Sequence, residues 1–159
     1  MSEPVVWIKE KGELRILGKR HTAVDVEAFC DSLDYLVGVQ VAQVIMHNVE
    51  YRLGKLDGAR AKMEKTKASL TELVDYLAQA DLESGIGKTK VTLSGDPATQ
   101  AEVEVANPCV RGTSGAARSF IASWWAGAIT SLLDKEFDIK NVAFDQEKNI
   151  MKCSLATRP

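Results

Sequence analysis

Residues 5–96 contain no proline. Nothing in that stretch therefore interrupts a helix or a ladder by removing a backbone donor, and long helices are permitted. Thr22 or Asp25 is placed to cap a first helix ending near Leu36. Gly38 marks a break or bend. Beyond it Val41, Val44, Ile45, Val49, Leu53 and Leu56 recur at steps of three and four, which is one apolar stripe on a helix. Gln43, His47 and Glu50 fall on a different face. Gly54 and Gly58 weaken the end of this helix, with residues 59–67 as a charged extension. A further helix starts at Ser69-Leu70-Thr71-Glu72, a capping-box pattern. Leu70, Leu73, Val74 and Leu77 form its buried face, and Gly85 and Gly87 end it.

Strand patterns flank this helical block. Val5, Val6, Trp7 and Ile8, a turn at Lys11-Gly12, and Leu14-Arg15-Ile16-Leu17 read as a hairpin over residues 1–18. Residues 89–93 and 101–106 read as a second pair around the turn Ser94-Gly95-Asp96-Pro97. Val103 and Val105 face one way, Glu102 and Glu104 the other. A helix follows over 113–134, with Ala117, Phe120, Ile121, Trp124, Ala128 and Leu132 on one face and Trp125 offset. Residues 137–144 and 150–156 close the chain as a last strand pair. Separate strand and helix blocks predict a single α+β domain over 1–159, with an antiparallel sheet packed against long helices.

Composition narrows the function classes. Apolar residues make up 45% and charged residues 26%, the balance of a globular protein. Lys plus Arg total 20 and Asp plus Glu 22, for a net charge of -2. No basic footprint for nucleic acid is present. No apolar run reaches the ~18 residues of a membrane span, and Met1-Ser2-Glu3-Pro4 does not begin a signal peptide. Cys30, Cys109 and Cys153 are odd in number and widely spaced, a poor disulfide framework. A reducing cytoplasm is the expected compartment.

Few motifs carry chemistry. Gly85-Ile86-Gly87-Lys88-Thr89 lacks the leading glycine of a P-loop and lies between a helix and a strand, the reverse of the required order. It reads as a helix-ending turn. His21 and His47 have no metal-ligand spacing. Cys109 and Cys153 border the C-terminal elements and read as small buried hydrophobes, with a metal site as the less favoured alternative. Cys109 also precedes a helix, a position that lowers a thiol pKa, with Arg111 and Arg118 adding to the effect. Arg111-Gly112-Thr113-Ser114-Gly115 offers backbone donors for an anion, although capping by Thr113 or Ser114 is the commoner use. Trp124 and Trp125 point about 100° apart, so they face different surroundings. Ala122, Ala126, Gly127 and Ala128 around them admit a closely packed helix or a flat ligand.

Tyr51-Arg52-Leu53-Gly54, Gly85-Ile86-Gly87 before a strand, Trp125-Ala126-Gly127-Ala128-Ile129-Thr130-Ser131-Leu132-Leu133, and Cys153 in its strand occur in one order and spacing. Together they resemble the 4-vinyl reductase domain family, over residues 18–156. Its domains bind small ligands and are similar in fold to subunits of the Golgi transport tethering complex. Glu50 stands where the family usually has glycine. Relatives that sense aromatic compounds hold zinc with three cysteines and a carboxylate. Here only Cys153 matches, and positions 118, 142 and 144–145 hold other residues, so no zinc of that type is expected. No cofactor motif supports the reductase chemistry in the family's name, and a fold does not supply it.

The resemblance implies a non-catalytic domain that binds a small hydrophobic molecule, aromatic or tetrapyrrole, and forms a homodimer. The expected cavity lies between the helix over 113–134, the helix over 41–56 and the sheet. Ile45, Val49, Phe120, Trp124 and Trp125 are expected to line it, and His47 or Arg118 to orient a polar group. A protein-interaction module without a ligand, dimerising through the helix around Gly127, is the first alternative. A reductase or thiol-dependent transferase is the second.

Overall fold

The computed structural model describes residues 5–8, 13–17, 19–21 and 25–158. Strands β1 (Val5–Ile8), β2 (Glu13–Ile16) and β3 (Lys19–His21) form a small antiparallel sheet, with Val5 opposite Ile16 and Leu14 opposite His21. The expected hairpin is present with a third strand added. Its Lys11-Gly12 turn, and Thr22 as a cap, lie outside the described residues. Asp25 caps α1 (Val26–Val37) by accepting the Ala28 N–H at 3.0 Å. Gly38, at φ +84°, ends α1 and opens α2 (Val39–Glu64). That backbone conformation strains any side-chain-bearing residue, so the glycine makes the bend.

Helix α2 runs through Gly54 and Gly58 to Glu64, so the charged extension expected over 59–67 is helical through residue 64. One expectation for α2 is overturned. Its apolar stripe Val41, Val44, Ile45, Val49, Leu53 and Leu56 points outward, each residue 39–60% exposed. The buried positions are Ala42, Met46, Gly54, Gly58 and Ala61. Helix α4 (Gly115–Leu133) is the cause. An added Cβ at Gly54 would sit 1.9 Å from the Trp124 carbonyl oxygen, and one at Gly127 would sit 2.0 Å from that of Tyr51. The backbones approach so closely that a row of branched aliphatics has no room between them. Paired positions rise together, from Val39 beside Gly115 to Lys62 bonded to Asp134, so α2 and α4 run parallel.

Parallel neighbours need a long connection, and α3 (Leu70–Ser84) with β4 (Lys88–Gly95) and β5 (Ala98–Ala106) supplies it. The Ser69 hydroxyl accepts the Glu72 N–H at 3.3 Å and the Glu72 carboxylate accepts the Ser69 N–H at 2.7 Å, which completes the capping box. Leu73, Val74 and Leu77 are buried, and Leu70 is half-buried. Gly85, at φ +83°, is the left-handed cap of α3. Gly85-Ile86-Gly87 is therefore a helix-to-strand turn.

Strands β4, β5, β7 (Ile150–Thr157) and β6 (Phe137–Asp145) form the main antiparallel sheet in that order. Val103 pairs with both Val91 and Cys153, and Cys153 with Val142. Ala101, Val103, Val105, Met151, Cys153 and Leu155 are buried. Glu104 on the opposite face pairs with Lys152 at 2.7 Å. Helix α4, buried at most of its positions, packs between α2 and the sheet. The protein is a single α+β domain.

Candidate functional site

Helix α4 places two aromatic side chains one turn apart. Phe120 and Trp124 are half-buried, whereas Trp125 is wholly buried. Four-residue spacing puts Phe120 and Trp124 on the same face. The Trp124 indole N–H donates to Asp57 Oδ2 at 3.2 Å, and that of Trp125 donates to Asp81 Oδ2 at 2.8 Å. The two indoles meet edge to face, with centroids 5.1 Å apart. They bond carboxylates on different elements, Asp57 of α2 and Asp81 of α3, as their 100° offset allows.

The glycine contact sets what faces Trp124. Gly54 lies against Trp124, and the helices run parallel. Glu50 lies one turn before Gly54, between His47, bonded to Ser123, and Tyr51, packed on Gly127, which puts it level with the stretch of α4 that carries Trp124. Glu50 is half-buried, and among the described residues no group donates a hydrogen bond to it. Burial, with the Asp57 carboxylate adding to it, pushes its carboxyl up to about 7. Asp57 is itself held by Trp124 and by Arg60, whose Nη1 lies 3.2 Å away. Cys30 of α1 is buried close enough to feel Glu50, and burial pushes its thiol up to about 11. The junction of α1, α2 and α4 combines two aromatic rings with one carboxyl poised near neutrality. Such a group donates a hydrogen bond when protonated and accepts one when ionised.

The other sequence candidates are placed elsewhere. Ile45 and Val49 are exposed on the outer face of α2, away from α4. Trp125 is buried in the core beside α3. His47 Nδ1 lies 2.9 Å from Ser123 Oγ, and its ring lies 5.8 Å from that of Tyr51. Arg118 is exposed and donates from Nε to the Gly112 carbonyl at 3.0 Å. Gly127, expected at a subunit contact, is buried against Tyr51 of the same chain. The seven residues expected around one cavity on α2 and α4 thus divide between the junction, the α2–α4 contact, the core and the outer surface.

The helix start at Ser114 is already filled. Ser114 Oγ accepts the Ala117 N–H at 3.0 Å. The Asp34 carboxylate from α1 accepts the N–H groups of Gly115 and Ala116 at 2.8 and 3.1 Å. Capping by Ser114, the commoner use of such a segment, is what occurs here, and Asp34 takes the place that an external anion would have held. The lowered thiol that the helix-entry position of Cys109 allowed is absent. Its own N–H bonds to the Ile86 carbonyl at 2.8 Å, and burial, with the Asp81 charge, pushes the thiol up to about 12. A thiol held protonated is a poor nucleophile. Cys153 is buried in β7, and burial pushes its thiol too up to about 12. Among the described residues no three His, Cys, Asp or Glu side chains gather where they could hold a metal ion. No helix among them is long and apolar enough to cross a membrane.

A second polar group ties α2 to the start of β6. The Tyr51 hydroxyl meets Thr130 Oγ1 at 3.0 Å and donates to the Glu136 carboxylate, which Lys55 also reaches at 2.9 Å. Thr130 Oγ1 further accepts the Phe137 N–H at 2.9 Å. These side chains satisfy one another and serve as a latch.

The arrangement of helices on one face of a four-stranded antiparallel sheet is an α+β fold. A solved structure with a similar fold is the phenol-responsive sensory domain of the transcription activator PoxR with phenol. It is similar to this chain with a TM-score of 0.74 and 11% sequence identity, over 97% of this chain and 85% of that one. At this identity the likeness establishes the fold alone. No family model and no curated protein matches the chain.

Glu50 was not among the residues expected at a binding site. One signal for it lay in the sequence, as a carboxylate in the helix segment where the resembled family usually carries glycine.

Proposed function

We propose that the chain is a remote relative of the 4-vinyl reductase domains that binds a small aromatic molecule, without catalysing its conversion, and does so as a homodimer. The observation that carries this reading is the junction of Phe120, Trp124 and Glu50. Two aromatic faces left half-covered on a largely buried helix offer stacking surface, and a carboxyl with no donor among the described residues offers a hydrogen bond to a ring substituent. The likeness to a sensory domain solved with phenol supports the same class of ligand. Thiol chemistry finds no support, since burial keeps Cys30, Cys109 and Cys153 protonated.

Calorimetric titration with phenol and a panel of substituted phenols tests the reading. Saturable heat is expected for the wild type, and Trp124→Ala is expected to weaken binding at least about ten-fold through lost stacking. No saturable heat at millimolar concentrations, or equal affinity in both proteins, counts against it.

The carboxyl adds a pH signature. Glu50 is protonated below about pH 7 and ionised above. A neutral ring laid over it deepens its burial and favours the protonated form. Affinity is therefore expected to fall about 3- to 10-fold between pH 6 and 8, a shift of up to one unit on ligand binding. Glu50→Gln is expected to flatten this dependence. A slope unchanged in the variant assigns the titration to another group.

A further inference from the structure

The outward stripe of α2 is left uncovered among the described residues. Val41, Val44, Ile45, Val49, Leu53 and Leu56 are each about half exposed. With Val39 they expose on the order of 600 Å² of apolar surface, the upper end of what a monomer leaves uncovered. Between Val39 and Leu56 the exposed charged side chains are Arg52 and Lys55, the latter 42% exposed and paired with Glu136. Glu50 is half-buried. An apolar patch that carries an arginine and no exposed carboxylate of its own has the composition of a protein interface.

We infer that this face of α2 is where a second copy of the chain docks. The inference rests on the homodimer in the reading above and assigns its surface. Three features favour a second copy. The exposed area approaches the roughly 800 Å² that each partner buries in a standard interface. A row of similar branched aliphatics along a helix of 26 residues is self-complementary about a two-fold axis. The net charge of -2 sets little repulsion between copies. A membrane-surface helix would instead carry lysines and arginines all along its polar face, and α2 exposes only Arg52 and Lys55 between Val39 and Leu56, the latter neutralised by Glu136.

Sedimentation velocity of the full chain at micromolar concentration, with Val49→Glu beside the wild type, tests this. A wild-type dimer is expected. Val49→Glu is expected to be a monomer, with dissociation raised at least about 100-fold by a charge buried in the interface. Far-UV circular dichroism should be unchanged, because Val49 is about half exposed and lies outside the core. If that variant loses its native spectrum, Val44→Lys at the most exposed position of the stripe carries the same test. A wild-type monomer overturns both this surface and the homodimer. A dimer that persists in folded Val49→Glu or Val44→Lys overturns the surface and leaves the homodimer standing. Phenol binding is measured on the same proteins, so loss of the ligand reading is seen separately.

Discussion

Gly54→Ala is expected to destabilise the protein by about 3 kcal/mol, the upper part of the range for overpacking a core. The new Cβ would lie 1.9 Å from the Trp124 carbonyl oxygen and 2.9 Å from the Ala128 nitrogen. These are backbone atoms of a buried helix, so no rotamer change relieves the clash. Helices α2 and α4 must separate, and α4 is fixed by the sheet behind it. Gly127→Ala meets the mirror-image obstacle at 2.0 Å from the Tyr51 carbonyl oxygen. A loss of that size lowers the melting temperature by about 6–12 °C in a domain of this length. Glycine is the poorer helix former by about 1 kcal/mol, so an exposed Gly→Ala would raise stability. Calorimetric melting of both variants decides between these signs. A melting point equal to or above that of the wild type would mean that the helices do not cross on these glycines.

The second large effect is a stability that falls as pH rises from about 4 to about 7. Asp81 is buried and accepts both Trp125 Nε1–H at 2.8 Å and Thr89 Oγ1–H at 2.6 Å on one oxygen. Burial pushes its carboxyl up to about 7, against the opposing pull of those two donors. The unfolded carboxyl titrates near 4. Between the two values the folded chain holds more protons than the unfolded one, so each rise in pH favours unfolding. Over the full interval this amounts to about 4 kcal/mol. Glu50 acts in the same direction, less strongly because it is partly solvated. The hydrogen-bonded carboxylates Glu136 and Asp138 are held low and act in the opposite direction, losing their contribution only as pH falls through their own acidic range. Urea denaturation at pH 5 and pH 8 is therefore expected to show a more stable wild type at pH 5. Asp81→Asn keeps an acceptor for Trp125 and removes the proton, so most of the difference is expected to vanish. The same difference in both proteins would place the titration elsewhere.

The strands, the caps and the order of elements were legible because their signals are local. Ser69 and Glu72 meet three residues apart, and Val103 and Val105 alternate with Glu102 and Glu104 within one strand. The orientation of α2 was not legible, for a physical reason. Apolar periodicity marks the face a helix hides from water, and here hydrophobicity and close approach select opposite faces. Gly54, Gly58 and Ala61 carry little hydropathy signal, yet only residues of that size admit the α4 backbone. Phe120 and Trp124 were legible as aromatics on one face. Glu50 was not, because its significance depends on the level at which α2 meets α4. That level is set by the contact of Gly54 with Trp124, 70 positions further along the chain.

The most direct test of the account is a crystal structure of the full chain grown with phenol. The ring is expected against Phe120 and Trp124, with its hydroxyl within hydrogen-bonding distance of Glu50. A well-ordered structure in which these side chains close on one another, with phenol bound elsewhere or not at all, would contradict the assignment of this junction as the binding site.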